Sequence, residues 1–238
     1  MKKYSEADLK KTKKIYEGQF KKIYATPDPD QLILEYKDDV AGLVGSRAKV
    51  KSNINKEISA YLFEYLEGFH IPTHFIKDLS ARDILIKRLD MIPVKIVMYN
   101  YVSIKVFEKY GFEEGKELNY PITEFFLKDK ERQDPMINQT HIIAFNLATM
   151  DETRMIERMT SKINAILKSF FLRRNMILVD FTVEYGRFKN KILLADEISP
   201  DTCHLWDASL ARQHKEDGSV NLAEFEIDAG EIKNRIVK

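Results

Sequence analysis

The run ILVDFTVEYGRFKNKILLADEISPDTCHLWD, residues 177–207, holds the pattern on which the reading of this chain turns. Two segments rich in β-branched and aromatic residues flank GRFKN at 186–190, which reads as a pair of antiparallel strands closed by a turn. With Tyr185 and Lys191 closing that turn, Glu184 is predicted to face Ile192, Thr182 to face Leu194, and Asp180 to face Asp196. Side chains alternate along strands, so Asp180, Thr182 and Glu184 are placed on one face with Asp196. Glu197 and Asp201 follow directly, where the second strand ends. Carboxylates this close repel each other unless a cation or a donor network offsets them. Mg²⁺ suits such a place, because it is typically held by one or two carboxylates together with substrate phosphates. The plainer alternative is a charged strand face that merely meets water.

Upstream, DETRMIERMTSKINAILKSFFLRR (151–174) has Met155, Ile156, Met159, Ile163, Ile166, Leu167 and Phe170 on one side, which predicts a helix with Asp151 as its N-cap. NINKEISAYLFEYL (53–66) predicts a second amphipathic helix. IYEGQFKKIYATPDPDQLILEYKDD (15–39) breaks into short apolar runs at Gly18 and the Pro27–Pro29 turn, as antiparallel strands do. Further strands are predicted around Ile84–Lys87 and Val94–Tyr101. The expected fold class is α+β with two lobes: a β-rich lobe over 1–98, and an α+β lobe over 99–238 that carries the acidic hairpin. The tail after Asp207 is polar and only weakly patterned.

The bulk numbers narrow the function. At 238 residues, 44% apolar and 32% charged, the composition is that of a globular protein with a sizeable core. The 38 basic residues balance 37 acidic ones, so there is no global footprint for nucleic acid. No stretch approaches the roughly 18 consecutive apolar residues of a membrane span, so no membrane partner is expected. MKKYSEADLKKTKKIYEG has positive charge with no apolar core behind it, so it does not read as a signal peptide. Cys203 is the lone cysteine and cannot form an intrachain disulfide, which fits a reducing compartment; cytoplasmic is the expected location.

Other chemistry-bearing residues are weaker signals alone. GQFKKIY (18–24) sets Gly18 and Lys21 in an early turn, as a phosphate-covering loop would, although a hairpin glycine usually just serves its turn. Lys128 and Asp134 sit in the polar loop FFLKDKERQDP, where isolated charges are more often plain surface. His74 and His141 lie beside apolar runs and read as structural. No spacing suggests zinc, and no nucleophile-elbow, Walker or Rossmann glycine pattern is present.

In order along the chain, IYEGQFKKIY, LILEYKDD, KSNINKEIS, IPTHF, KRLDMIPV, EEGKEL, FFLKDKERQDP, ILVDFTVEYG and LLADEISPDTCHLWD resemble the phosphoribosylaminoimidazole-succinocarboxamide synthetase family of purine biosynthesis. ADEISPD…LWD is the most specific of these, and the resemblance runs from about residue 15 to 207. It implies a two-lobed fold related to ATP-grasp and kinase-like architectures, with ATP in the cleft. It also implies ATP-driven amide formation between a carboxylated aminoimidazole ribonucleotide and L-aspartate through an acyl phosphate. Matched by position, Glu184 and Asp196 are the implied Mg²⁺-holding acids, and Gly18, Lys21, Lys128 and Asp134 the nucleotide contacts, with Met91 beside the base. Lys21, Lys128 and Asp201 form the implied catalytic set. Lys51, Asn100, Lys105, Asp180, Thr182, Asp201 and His204 form the implied substrate side. The family often forms dimers, so the resemblance also implies a homodimer.

The departures cluster on that substrate side. The family's Arg-Asn followed by Gly-Ser reads Tyr99-Asn100 and then Ile104-Lys105, and the arginine expected two residues before Trp206 is His204. A lysine expected between the hairpin acids is Thr182, a glutamate expected after Val94 is Lys95, the first lysine of the glycine loop is Gln19, and the glycine after Lys51 is Ser52. Arginine offers phosphate a bidentate fork that His and Tyr cannot reproduce. Three readings follow: the family reaction with phosphate held by Lys105, Lys95 and His204; a paralogous ligase acting on another carboxylate; and a catalytically silent nucleotide-binding protein.

Overall fold

The computed structural model describes residues 9–18, 20–37, 46–217 and 221–237. Gln19, Asp38 and Asp39, which figured in the sequence reading, lie outside the described residues. Two antiparallel sheets divide the chain. The first contains β1 (Lys14–Glu17), β2 (Lys21–Ala25), β3 (Gln31–Tyr36), β4 (Phe75–Asp78) and β5 (Asp83–Lys87), in the order β1-β2-β3-β5-β4. Helix α1 (Ser46–Glu67) covers it, burying Ile54, Ile58, Leu62, Phe63 and Leu66. The helix starts seven residues before the predicted Asn53, because SRAKVKS is too polar to show an apolar period.

The second sheet contains β6 (Asp90–Tyr101), β7 (Glu117–Leu127), β8 (Met136–Ile137), β9 (Met176–Phe188), β10 (Lys191–Ala195) and β11 (Cys203–Asp207). Its order is β10-β9-β6-β7-β8, with β11 also on β9. The chain changes sheets between Lys87 and Asp90, so the predicted division at residue 98 falls inside β6. Pro93 does not end that strand, because it sits where the β6–β9 register shifts between Met91 and Lys95, a place that needs no ladder N–H. Helix α2 (Ile104–Tyr110) and the short α3 (Gln139–Ala144) lead to α4 (Met150–Leu172). The N-cap of α4 is Thr149, two residues before the predicted Asp151, and Thr149 and Glu152 form a reciprocal capping box. Ile156, Ile163, Leu167 and Phe170 are buried as expected, while Met155 lies off the apolar face.

The hairpin register differs from the sequence expectation. Lys189 and Asn190 both have left-handed backbone, at φ 48° and 62°, which is the signature of a two-residue turn matched to strand twist. The loop therefore contracts from five residues to two. Glu184 lies opposite Ala195 and Tyr185 opposite Leu194, while Asp180 pairs with His204 on β11 and Tyr99 on β6, not with Asp196. Alternation survives the shift: Phe181, Val183 and Tyr185 enter the core, and Asp180, Thr182 and Glu184 share the other face.

One continuous core runs from Leu32 through both sheets to Ile236. The tail is not loose. Helices α5 (Ala208–Asp217) and α6 (Ala229–Ile236) follow β11, and Phe225, Ile232 and Ile236 are buried. Among the described residues no helix is long and apolar enough to cross a membrane.

The lobes are stitched at 72–74. Leu194 N donates to Pro72 O at 2.9 Å, and His74 N donates to Leu194 O at 2.9 Å. His74 Nδ1 donates to the same carbonyl at 3.1 Å, so this histidine is structural, as its sequence context implied. The residue is 2% exposed, and burial lowers its pKa to about 4. The unfolded chain takes up a proton near the ordinary histidine value while the folded chain resists it, so this group costs stability as pH falls from there toward 4. Between about pH 7 and about pH 5 that cost is about 2 kcal/mol. Urea unfolding of wild type and His74→Phe at both pH values is expected to show a smaller acid-side loss in the variant.

Candidate active site

Strand β9 changes edge partner partway along. Residues 184–188 pair with β10 and 176–181 with β11, and the 196–202 connection crosses the gap between them. Thr182 N donates to Thr202 O at 2.8 Å, holding that connection against β9. Asp196 opens it in left-handed backbone, φ 61°, which Asp tolerates better than most residues. This break in pairing brings the acids of β9 and the loop onto one face.

Lys21 comes from the other lobe, at the start of β2. Its Nζ lies 2.6 Å from Asp196 Oδ1 and 2.7 Å from Glu197 Oε1, with the Tyr36 ring 5.7 Å away. Burial works against the ammonium, yet the two carboxylates hold its pKa well above the ordinary value. Gly18 closes the turn before it, with its N–H donating to Lys21 O at 2.9 Å. A Cβ at Gly18 would meet only the outer end of the exposed Tyr16 side chain, 2.9 Å from its hydroxyl. Lys128 Nζ lies 2.5 Å from Glu184 Oε2. Burial, then the Asp196 charge, raises the Glu184 pKa, with Lys128 opposing. Burial acts in the same upward sense on Asp196, but Lys21 overrides it and keeps that carboxyl below its usual range. Glu197 is pushed up by burial.

Asp134 accepts from Asp129 N at 2.9 Å and from Lys95 Nζ at 3.2 Å. Lys95 lies opposite Glu184 on β6 and does not line the substrate-side cleft, so the expectation that it grips a phosphate there is not met. Met91 is 41% exposed at the start of β6, opposite Gly186. A Cβ on Gly186 would come within 2.7 Å of Leu89 Cβ, which explains the glycine beside the strand entry.

The residues expected on the substrate side surround a cleft of about 410 Å³. Lys51, Lys105, Asp180, Thr182, Asp201 and His204 all line it. Each cation there already faces an acid: Lys51 Nζ is 2.7 Å from Asp201 Oδ1, and Lys105 Nζ is 3.5 Å from Asp180 Oδ1. His204 is held at both ring nitrogens, by Asp180 (3.1 Å) and by Glu226. Burial works against its protonation, but those two carboxylates raise its pKa above the ordinary value. Asn100 is the one predicted site residue that stands elsewhere. It is fully buried, and its amide exchanges hydrogen bonds of 2.9 and 2.8 Å with Asn164 and donates to Leu178 O.

Sequence reasoning missed Glu197 as a lysine partner although it sat in the acidic run, where it could have been named. Glu226 gave no signal, since it lies in the weakly patterned tail and arrives only through the Trp206–Glu226 bridge.

With this geometry in hand, the comparisons with known proteins are direct. The family model for SAICAR synthetase matches residues 14–221. This chain belongs to the SAICAR synthetase family. The phosphoribosylaminoimidazole-succinocarboxamide synthase of Chloroherpeton thalassium is 40% identical over 233 residues, 97% of each chain. That of Acidithiobacillus ferrooxidans is 44% identical over 206 residues, 85% of this chain and 86% of its own. Among solved structures, the enzyme of Ehrlichia chaffeensis superimposes with a TM-score of 0.81 at 33% identity, covering 94% of this chain and 98% of its own. A SAICAR synthetase in complex with ADP gives 0.79 at 37% identity, covering 93% and 97%. The SAICAR synthetase fold is ATP-grasp-like, and the family is one of ATP-dependent ligases.

Within this family site, Asp196→Asn leaves Lys21 a partner in Glu197 and is expected to keep the fold. If the Asp196 carboxylate holds the divalent ion that the resemblance implies, turnover is expected to fall at least about 100-fold, because the cation that would offset the charge of a transferring phosphoryl group is lost with it. Steady-state ADP release together with far-UV circular dichroism checks this; a folded variant of unchanged activity contradicts the assignment.

Proposed function

We propose that this chain joins the carboxylate of carboxyaminoimidazole ribonucleotide to the amine of L-aspartate, using ATP and Mg²⁺, in a reducing, cytoplasmic setting. The observation that carries the reading is the Lys21–Asp196–Glu197 cluster between the lobes, in a chain whose family match spans residues 14–221. A carboxylate is a poor acyl donor because its leaving group is hydroxide-like. Phosphorylation turns that oxygen into part of a good leaving group, which an amine can displace. The protein's share of such a reaction is alignment and charge neutralisation.

The residues suit those roles. Lys21 and Lys128 are ammonium groups beside the acids, placed to take the charge of transferring phosphate. Glu184 and Asp196 are hard oxygen donors; burial first, and then the Asp196 charge, raises the Glu184 pKa. A pair of carboxylates suits an ion that brings phosphate oxygens as its remaining ligands. Mg²⁺ held there would offset charge on the β- and γ-phosphates. Met91, Asp134 and Gly18 complete the nucleotide side of this proposal. Lys51, Lys105 and His204 are the cations that would meet an anionic substrate, with Asp180, Thr182 and Asp201 beside them.

One observation keeps a second reading alive. Among the described residues that line the cleft there is no arginine, and its cations are each opposed by a carboxylate. A ligase of the same chemistry with a different carboxylate substrate fits that lining too. ADP release with carboxyaminoimidazole ribonucleotide plus L-aspartate decides between them: turnover at ordinary substrate levels is expected, and ADP release only with other carboxylates overturns the first reading. His204→Arg is expected to lower KM for the ribonucleotide several-fold, since a guanidinium adds a charge-assisted fork. An unchanged KM places His204 away from the phosphate.

A further inference from the structure

Glu226 stands on the wall of the cleft of about 410 Å³, a short step before α6. Its backbone is fixed on both sides. Before it, Phe225 is buried and packs against Trp206, with ring centroids 5.6 Å apart. After it, Asp228 caps α6 by accepting from Gly230 N at 2.8 Å and from Glu231 N at 3.1 Å. The backbones of Trp206 and Glu226 also form a bridge. The side chain is freer: 57% exposed, it accepts through Oε1 from His204 Nε2 and, at 3.1 Å, from Trp206 Nε1. A held backbone with water around the carboxylate lets the side chain turn without the segment moving.

His204 lies between two carboxylates, with Asp180 on Nδ1 at 3.1 Å and Glu226 on Nε2. An imidazole donates at both nitrogens only when it is protonated, so the arrangement presents a cation with both N–H groups taken. The two acids are not equivalent. Asp180 is buried and faces Lys105 as well, at 3.5 Å, so moving it would strand buried charge. Glu226 loses little by turning to water, because ion pairs at exposed positions are weak. Glu226 is therefore the partner that yields, and an anion in the cleft reaches Nε2–H only in its place. The charge count agrees. Among the described residues that line the cleft, Lys51, Lys105 and His204 face Asp180, Asp201 and Glu226, so with Glu226 turned inward the acids match the cations.

We propose that Glu226 is an internal competitor for the anionic end of the substrate: its carboxylate occupies the place on His204 that a phosphate monoester takes, and turns into solvent when that group arrives. The inference rests on the ligase reading above for the identity of the phosphate ester, and adds the residue that sets how tightly the cleft takes it. Every anion entering the cleft meets the same cost of displacing Glu226. A dianionic phosphate is well matched to meet it, since the vacated imidazolium N–H then makes a charge-assisted hydrogen bond to a group of higher charge. Removing the Glu226 charge lifts that cost while leaving His204, Asp180 and the backbone bridge in place.

Glu226→Gln and Glu226→Ala test this in two ways. First, inorganic phosphate is titrated into each protein at about pH 6, below the ordinary histidine value, so that the ring is protonated with or without Glu226. The His204 ring-proton signals, assigned against His204→Gln, report its binding. Half-saturation is expected at about threefold to fivefold less phosphate in both variants than in wild type. Second, KM is measured for carboxyaminoimidazole ribonucleotide, ATP and L-aspartate. The ribonucleotide value is expected to fall several-fold and the other two to stay within about twofold. A gain of affinity is a result that damage to the fold does not produce. Phosphate binding that is unchanged or weaker in the variants overturns the proposal, the weaker case marking Glu226 as a support for His204. Tighter phosphate binding with an unchanged ribonucleotide KM, or a common shift of all three KM values, overturns it as well. If one variant does not fold, the other decides. Wild-type turnover separates the two levels: its absence sinks the ligase reading, while the phosphate titration still decides whether Glu226 competes for His204.

Discussion

A buried ammonium reaches across the two halves of this molecule, which also share a core and the backbone bonds at 72–74. Lys21 projects from the first sheet, and its partners Asp196 and Glu197 belong to the loop that follows the second sheet's outer hairpin. Only 12% of the lysine side chain reaches solvent, while a third of Asp196 remains open. A pair of adjacent carboxylates is tolerable there because one cation serves both, and removing it would leave two uncompensated like charges. The same arrangement suits a nucleotide machine. Under the proposed function, phosphates arriving with a divalent ion would offer Lys21 new anions and Asp196 a new cation, so charge balance would be kept while partners are exchanged.

Sheet geometry explains why those groups meet at all. An uninterrupted edge partner along β9 would have left no room for a loop between Glu184 and Asp180. By taking β10 on one stretch and β11 on the next, β9 leaves a gap into which 196–202 folds. The left-handed turn at Asp196 lets the chain leave the ladder there. Glu184 then lies at one end of the gap, paired with Lys128, and Asp180 at the other, facing the cleft with His204 and Lys105.

Much of this was legible in the residues, for identifiable reasons. The α4 face showed itself through 3.6-residue spacing, and the β9 face through strict alternation of Asp180, Thr182 and Glu184 with Phe181, Val183 and Tyr185. Register was not legible. Asn190 permits a two-residue turn, and nothing local distinguished that from a longer GRFKN loop, so the predicted partner of Asp180 was wrong while its face was right. Asn100 looked like a site residue because it abutted the expected phosphate grip; its pairing with Asn164 is a long-range contact no window reveals. Glu226 is hidden for the same reason. The conformation of the tail depends on the Trp206 and Phe225 packing, which exists only once the second sheet has formed.

The claim beneath this account is that Glu184 and Asp196 converge on one divalent ion carrying a nucleoside triphosphate. Crystals grown with Mn²⁺ and a non-hydrolysable ATP analogue, with anomalous data at the manganese edge, test it most directly. The account expects one manganese peak in contact with an oxygen from each carboxylate and with the terminal phosphates, and Lys21 turned toward those phosphates. A peak distant from both acids, or a nucleotide bound outside the space between the lobes, contradicts it.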